Sequence, residues 1–251
     1  MKIQELVKRH NELSKGSVDY EKYALFAATH HSTAIEGSTL TESQVINLLE
    51  YGKPAANKPF EHNQMVYDHH KALLFVVELA RKKTVLSPLI VREIGAKVMY
   101  STGGFVNTVF GQYNIAAGDF RLSSVRAGTR TFPDAQKVAM LVEAFCQQTN
   151  YDLREAKTFE EKCELAFKVH FDFVSIHPFG DGNGRTSRLL MNFVQSYFGL
   201  PLSIVFKQDR IKYINSLEDA RNKENLKPFY DFMNKQYAKF LSTEIEHLQK
   251  I

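Results

Sequence analysis

Cysteine is almost absent. Cys146 and Cys163 are the only two, neither lies in a CxxC, and both fall in apolar helical patterns. A secreted disulfide scaffold is thereby excluded, and reduced core thiols are expected. Long apolar runs are missing too. The greasiest stretch, ALLFVVELA from Ala72, carries a Glu and is far too short to span a bilayer. The opening MKIQELVKRHNE has no apolar signal core, so a cytoplasmic chain with no membrane partner is expected. Charge of one sign is not in excess. With 32 Lys and Arg against 28 Asp and Glu, the net charge is +4, and no Lys/Arg block marks a nucleic-acid tail or lipid anchor. Nucleic acid is therefore not an expected partner. No GxxxxGK[ST] occurs, which excludes a P-loop, and no internal repeat or low-complexity segment appears.

What remains is an ordinary globular composition. The 251 residues are 44% hydrophobic and 24% charged, enough for one large domain or two small ones. Nearly all of it reads helical. Tyr20, Tyr23, Ala27, His31 and Ala34 recur at three- and four-residue steps after a candidate cap at Ser17. Val66, His70, Leu73, Val77 and Ala80 repeat the pattern. Ser87-Pro88 is a cap with proline at the first helical position, opening a helix through Met99. Thr158 and Glu161 make a capping box ahead of Phe159, Cys163, Ala166, His170 and Phe173. The helical pattern resumes near Asp209. One stretch differs: GDFRLSSVRAGTRTFP, 118–133, has no 3.6-residue period and suits a short β-hairpin turning at Gly128.

HPFGDGNGRTSR, from His177, concentrates glycine and positive charge between apolar helical segments. A helix precedes it where a dinucleotide-binding turn would need a strand, so that reading fails. The pattern is helix, turn, then a new helix with Arg185, Arg188 and Asn192 on one face and Leu190, Phe193 and Tyr197 facing a core. A glycine-rich turn feeding a helix N-terminus aims backbone N–H groups at an anion, and two arginines on the first turn add forked donors. Asp181 beside a triphosphate is a natural Mg²⁺ ligand, and His177 can accept a proton near neutral pH. The plainer alternative is a histidine ending one helix and a glycine turn into the next.

The twelve residues fit HPFx[D/E]GNGRxxR, the signature of the Fic family, at every specified position. The chain resembles that family over roughly residues 88–235. The resemblance implies an all-α fold: a Fic-type helical core with a small β-hairpin flap and an N-terminal helical arm. Residues 1–87 would form the arm, 88–235 the catalytic core and 236–251 a helical tail. It also implies transfer of AMP from ATP to a Ser, Thr or Tyr hydroxyl of a target protein, with release of pyrophosphate. His177 would be the general base and Asp181 the Mg²⁺ ligand. Gly182, Asn183 and Gly184 would form the anion hole, Arg185 would assist there, and Arg188 would take the γ-phosphate. The 118–133 segment resembles the flap that holds the target by strand addition, with Arg126-Ala127 replacing an apolar-then-branched pair. DRIKYINSLEDAR resembles the adenine-side helix, with Tyr213 as a ring contact.

STAIEGSTL, from Ser32, reads as a helix end with Gly37 in the left-handed position and Glu36 in the last turn. A carboxylate there faces the negative end of the helix dipole and calls for a cation. STAIEG also resembles the [S/T]xxxE[G/N] inhibitory motif of the same family, made here by Ser32, Glu36 and Gly37, and the implied partner is Arg188. An arginine so held cannot take a γ-phosphate. The resemblance admits two other reactions: removal of AMP from a modified target, and use of another phosphate-containing donor. A homo-oligomer contact that loosens the helix is a further expectation. His30, His31, His62, His69 and His70 read as core or surface histidines.

Overall fold

A computed structural model describes residues 2–15, 20–127 and 130–249. Ten helices carry the fold: α1 (Ile3–Ser14), α2 (Tyr20–Ile35), α3 (Glu42–Tyr51), α4 (Phe60–Arg81), α5 (Pro88–Val98), α6 (Ala135–Glu155), α7 (Phe159–Ile176), α8 (Asn183–Tyr197), α9 (Arg210–Asn222) and α10 (Lys227–Leu248). Their starts follow the caps in the sequence. Ser87 accepts from the Ile90 N–H ahead of Pro88, and Thr158 and Glu161 satisfy each other's backbone N–H groups. Thr41 and Gln44 build the same box before α3. The candidate cap at Ser17 and the turn at Gly128 lie outside the described residues.

The centre is α8. Twelve of its residues, including Arg185, Arg188 and every apolar side chain from Leu189 to Val194, are buried, so this helix has no solvent face. Helices α7 and α4 flank it, α2 and α5 lie against α4, and α1 packs on α10. One apolar core runs from Leu6 and Val7 through Phe167, Phe173 and Leu190 to Leu241 and Ile245. The 1–87 and 236–251 segments thus share a core with 88–235. Leu40, Val45, Leu48 and Val66 form a small satellite under α3. Cys146 and Cys163 are free and buried, and burial pushes both thiols up to about 12.

The described residues also hold two hairpins. The expected one pairs β3 (Arg126–Ala127) with β4 (Arg130–Thr131), in register Arg126↔Thr131 and Ala127↔Arg130. The other was not read from the sequence. It pairs β1 (Phe105–Thr108) with β2 (Gly111–Asn114), in register Phe105↔Asn114 through Thr108↔Gly111. The signal was present in FVNTVFGQYN: β-branched and aromatic residues around a glycine with φ +120°.

The loop after α7 is seated by α5. A Cβ added at Gly95 would stand 2.5 Å from the Phe179 ring, and Phe179 is buried against Phe173 and Phe120. Helix propensity favours Ala over Gly by about 1 kcal/mol, but overpacking a filled core costs about 1–3 kcal/mol. Gly95→Ala is therefore expected to lower the urea midpoint, whereas a gain in stability would contradict this packing.

Candidate active site

The loop from His177 to Gly182 joins α7 to α8. His177 ends α7 in the left-handed region, φ +54° and ψ +59°, and its N–H donates to the Phe173 carbonyl at 3.0 Å. That position favours glycine, so a side chain there is held at some strain by its surroundings. Asn183 staples the loop, because its side chain accepts from the Phe179 N–H and donates to the Phe179 carbonyl, both at 2.9 Å. The first intrahelical bond of α8 is Thr186 N–H to Gly182 O at 2.9 Å. The N–H groups of Asn183, Gly184 and Arg185 precede it and carry the positive end of the helix.

A carboxylate faces that end. Glu36 accepts from Arg188 Nη2 at 2.7 Å, and a Cβ on Gly184 would strike the same Oε1 atom. Helix α2 ends at Ile35, so Glu36 is its cap, one residue beyond the expected last turn. Ser38 N–H bonds to Thr33 O at 3.1 Å and Gly37 N–H to Ala34 O at 3.2 Å, with Gly37 at φ +105°. This Schellman closure needs glycine and fixes where Glu36 leaves the helix. Ser32 completes the grip: its hydroxyl accepts from Arg188 Nε and its carbonyl from Nη2, both at 2.9 Å. Arg188 holds Glu36 below the usual carboxylate range against the opposing effect of burial, although the Glu36 side chain keeps 31% of its surface exposed.

Arg185 lies beside this pair, buried, with Nη2 at 2.9 Å from Met99 Sδ and 3.6 Å from Asp181 Oδ2. Asp181 is 66% exposed and its Oδ1 accepts from the Gly182 N–H. Tyr213 is only 2% exposed. Its hydroxyl lies 2.7 Å from His170 Nε2, and the ring is buried near Arg188. The reading of Tyr213 as a base contact meets a ring with no open face. His30, His31 and His69 are buried, and His70 is half-buried.

His177 stands at the other end of the loop. Its ring stacks on Phe132 at 3.9 Å and 23°, and the Arg130 guanidinium lies over the Phe132 ring at 4.8 Å. Arg130 and Phe132 share one face of the flap, and Arg130 approaches Glu218 of α9, which binds Arg221 at 2.7 Å. Burial lowers His177 to about 4. The Val174 backbone pulls the other way, and Arg121, Arg130 and Arg221 reinforce the lowering. The imidazole is thus neutral over the physiological range. Sequence reasoning missed Arg121 and Phe132. Within the segment read as a hairpin, Leu122 is 36% exposed and Arg121 is 1% exposed. Two of the three carbonyls that the Arg121 side chain donates to, those of His177 and Pro133, are 56 and 12 residues away, so local periodicity carries no sign of them.

Comparison with known proteins bears on the family and the fold. The profile of the Fic/DOC family matches residues 86–195. "Protein adenylyltransferase Fic" of Drosophila persimilis is 30% identical over 213 residues, covering 85% of this chain and 39% of the relative. That of Drosophila erecta is 31% identical, covering 85% and 40%. The chain spans about two fifths of the length of the curated relatives it matches. A Fic domain containing signaling protein from Bacteroides thetaiotaomicron shares the fold at TM-score 0.82 and 21% identity, covering 100% of this chain and 98% of the other. Fic-1 from C. elegans does so at 0.80 and 24%, covering 99% and 72%.

Desolvation also lowers His30 and His70 to about 4 and His31 to about 3, from an ordinary 6.5. Below pH 6.5 the unfolded chain takes up protons that these sites refuse until far lower pH. Stability is therefore undiminished above pH 6.5 and falls from 6.5 towards 4, by up to about 1.4 kcal/mol per pH unit for each such histidine. Urea midpoints between pH 7.5 and 4.5 should fall steeply in that window. A flat profile would contradict the burial of these rings.

Proposed function

The chain belongs to the Fic/DOC family, and on that premise we propose that it is a protein adenylyltransferase held off by its own Glu36. It transfers AMP from ATP to a hydroxyl side chain of a target protein and releases pyrophosphate. The observation that carries this reading is the Glu36 carboxylate, seated on Arg188 and against Gly184 at the N-terminus of a buried helix. That place suits a phosphate oxygen. With Glu36 withdrawn, Arg188 takes the γ-phosphate, and the N–H groups of 183–185 receive the phosphate chain. Ser32 keeps Arg188 aimed through Nε and Nη2.

His177 supplies the base. Its Nδ1 is buried, which leaves Nε2 to take the proton of the incoming hydroxyl. A ring that is neutral at pH 7 is ready to accept it. Attack at phosphorus depends on in-line positioning and charge neutralisation, which the loop and the arginines provide. Asp181 fits a magnesium ion: one exposed carboxylate beside the phosphate path suits a cation that draws its other ligands from phosphates and water. A bound ion there would supply charge neutralisation to the phosphate chain, with Asp181 holding it. The target lies along the β3–β4 flap, adding a strand beside the Phe132–His177 stack.

A second reading draws on the partial exposure of Glu36. A carboxylate open to solvent at the phosphate site can orient water, so the same pocket supports removal of AMP from a modified target. Feeding AMP-modified protein to wild type and to Glu36→Gly separates the two, since only the hydrolytic role needs Glu36.

With labelled ATP, Glu36→Gly is expected to raise self-labelling ~tenfold or more, the equivalent of about 1.4 kcal/mol of lost restraint. Equal labelling of the two forms would sink the inhibitory role. Adding His177→Ala to Glu36→Gly should reduce labelling by ~10²–10⁴-fold, with ATP binding retained. Ser32→Ala leaves the Glu36 contact in place, so its release should be smaller than that of Glu36→Gly, and a larger effect would assign the restraint to Ser32 instead.

A further inference from the structure

Arg121 begins the flap and is fully buried, yet among the described residues it makes no ion pair with a carboxylate. Its guanidinium spends all three nitrogens on backbone carbonyls from three places. Nε donates to His177 O at 2.8 Å, Nη1 to Ser123 O at 2.8 Å and Nη2 to Pro133 O at 2.5 Å. Its own N–H donates to Pro178 O at 2.9 Å. Ser123 and Pro133 are the two legs of the flap, just outside the β3–β4 pair. One side chain therefore ties both legs to the first residue of the catalytic loop.

The geometry has a direct mechanical meaning. The direction of the His177 carbonyl is set by that residue's ψ, so fixing the oxygen fixes the backbone in its left-handed state and with it the line along which the imidazole leaves. Phe132, which stacks on that imidazole, immediately precedes Pro133, whose carbonyl is the third acceptor. Arg121 thus holds the ring from below through the backbone and from above through the flap. A planar fork with fixed donor directions can serve three acceptors at once, whereas a lysine ammonium on a flexible stem cannot hold all three in that plane. A buried charge whose hydrogen bonds all go to carbonyls is a costly choice for a mere staple.

We propose that Arg121 is a positioning residue for transfer, coupling the flap that seats the target segment to the alignment of His177. The inference rests on the adenylyltransferase reading above. A target strand docked on β3–β4 then meets an imidazole whose orientation is already set by the same side chain. Arg121 touches neither nucleotide nor target, and it acts through two backbones and one ring.

The test uses the full chain in the Glu36→Gly background, comparing Arg121 with Arg121→Lys and Arg121→Met. The KM for ATP should stay within about twofold while kcat for labelling falls ~10–100-fold, with Lys milder than Met, as for loss of orientation without loss of binding. Amide exchange should rise together at 121–126, 131–134 and 177–180. Unchanged kcat, or a KM that rises in step with the loss of rate, would overturn the proposal. If the variants do not fold, exchange in wild type decides: the flap legs and 177–180 must open with one common protection, and independent opening overturns the coupling. If Glu36→Gly itself is silent while His177 is intact, the adenylyltransferase reading fails, and the wild-type exchange experiment still judges the coupling.

Discussion

Arg188 is a permanent cation on the first turn of a helix buried on every side, and something anionic must stand against it. In this structure the anion is Glu36, brought from a helix 152 residues earlier in the chain. The buried helix end and the arginine reinforce each other's demand for negative charge, because low dielectric strengthens both. Neither solvent nor the backbone can meet that demand alone. The carboxylate and a terminal phosphate are chemically alike in what they offer, two or three oxygens with delocalised charge, so they compete for one place. On the proposed function, regulation and substrate recognition are two uses of a single electrostatic requirement.

The histidine end of the site is built on the opposite logic. Three arginines face His177 from the flap and from α9, and burial adds to their effect. The imidazole is kept uncharged so that it can receive a proton. One end of the loop therefore attracts anions, and the other repels protons. The two ends are joined by six residues whose course is held by Asn183, Phe179 and the glycine of α5. The separation of roles is electrostatic as much as spatial.

Much of this was legible in the chain. The caps at Ser87 and Thr158 declared helix starts because capping chemistry is local. HPFGDGNGRTSR and STAIEG each stood out because loop glycines, a carboxylate and phased arginines have a meaning within one turn of backbone. The pairing of Glu36 with Arg188 followed only from resemblance, since nothing local to either residue points to the other. The β1–β2 hairpin was masked by the surrounding helical periodicity despite its β-branched residues. Arg121 was invisible for a deeper reason: its three acceptors are main-chain oxygens, and a carbonyl has the same chemistry under every side chain. Tyr213 illustrates the converse. Its place on the helix was identifiable, but whether it faced outward or inward was decided by Arg188 and His170, which lie on other helices.

The glycine closure after α2 has a consequence for how the restraint is released. Both members of the ion pair belong to one polypeptide, so on the proposed function dilution would leave the off state untouched, and a competitor for the carboxylate would face a tethered rival of high local concentration. On the same reading, a releasing signal would do better to loosen the last turn of α2, where the Glu36, Gly37 and Ser38 amides and Arg210 on the Ile35 carbonyl define the exit of Glu36. On the proposed function, unravelling that single turn would swing the acid away from Arg188 while the α7–α8 loop keeps its own Asn183 and Phe179 supports.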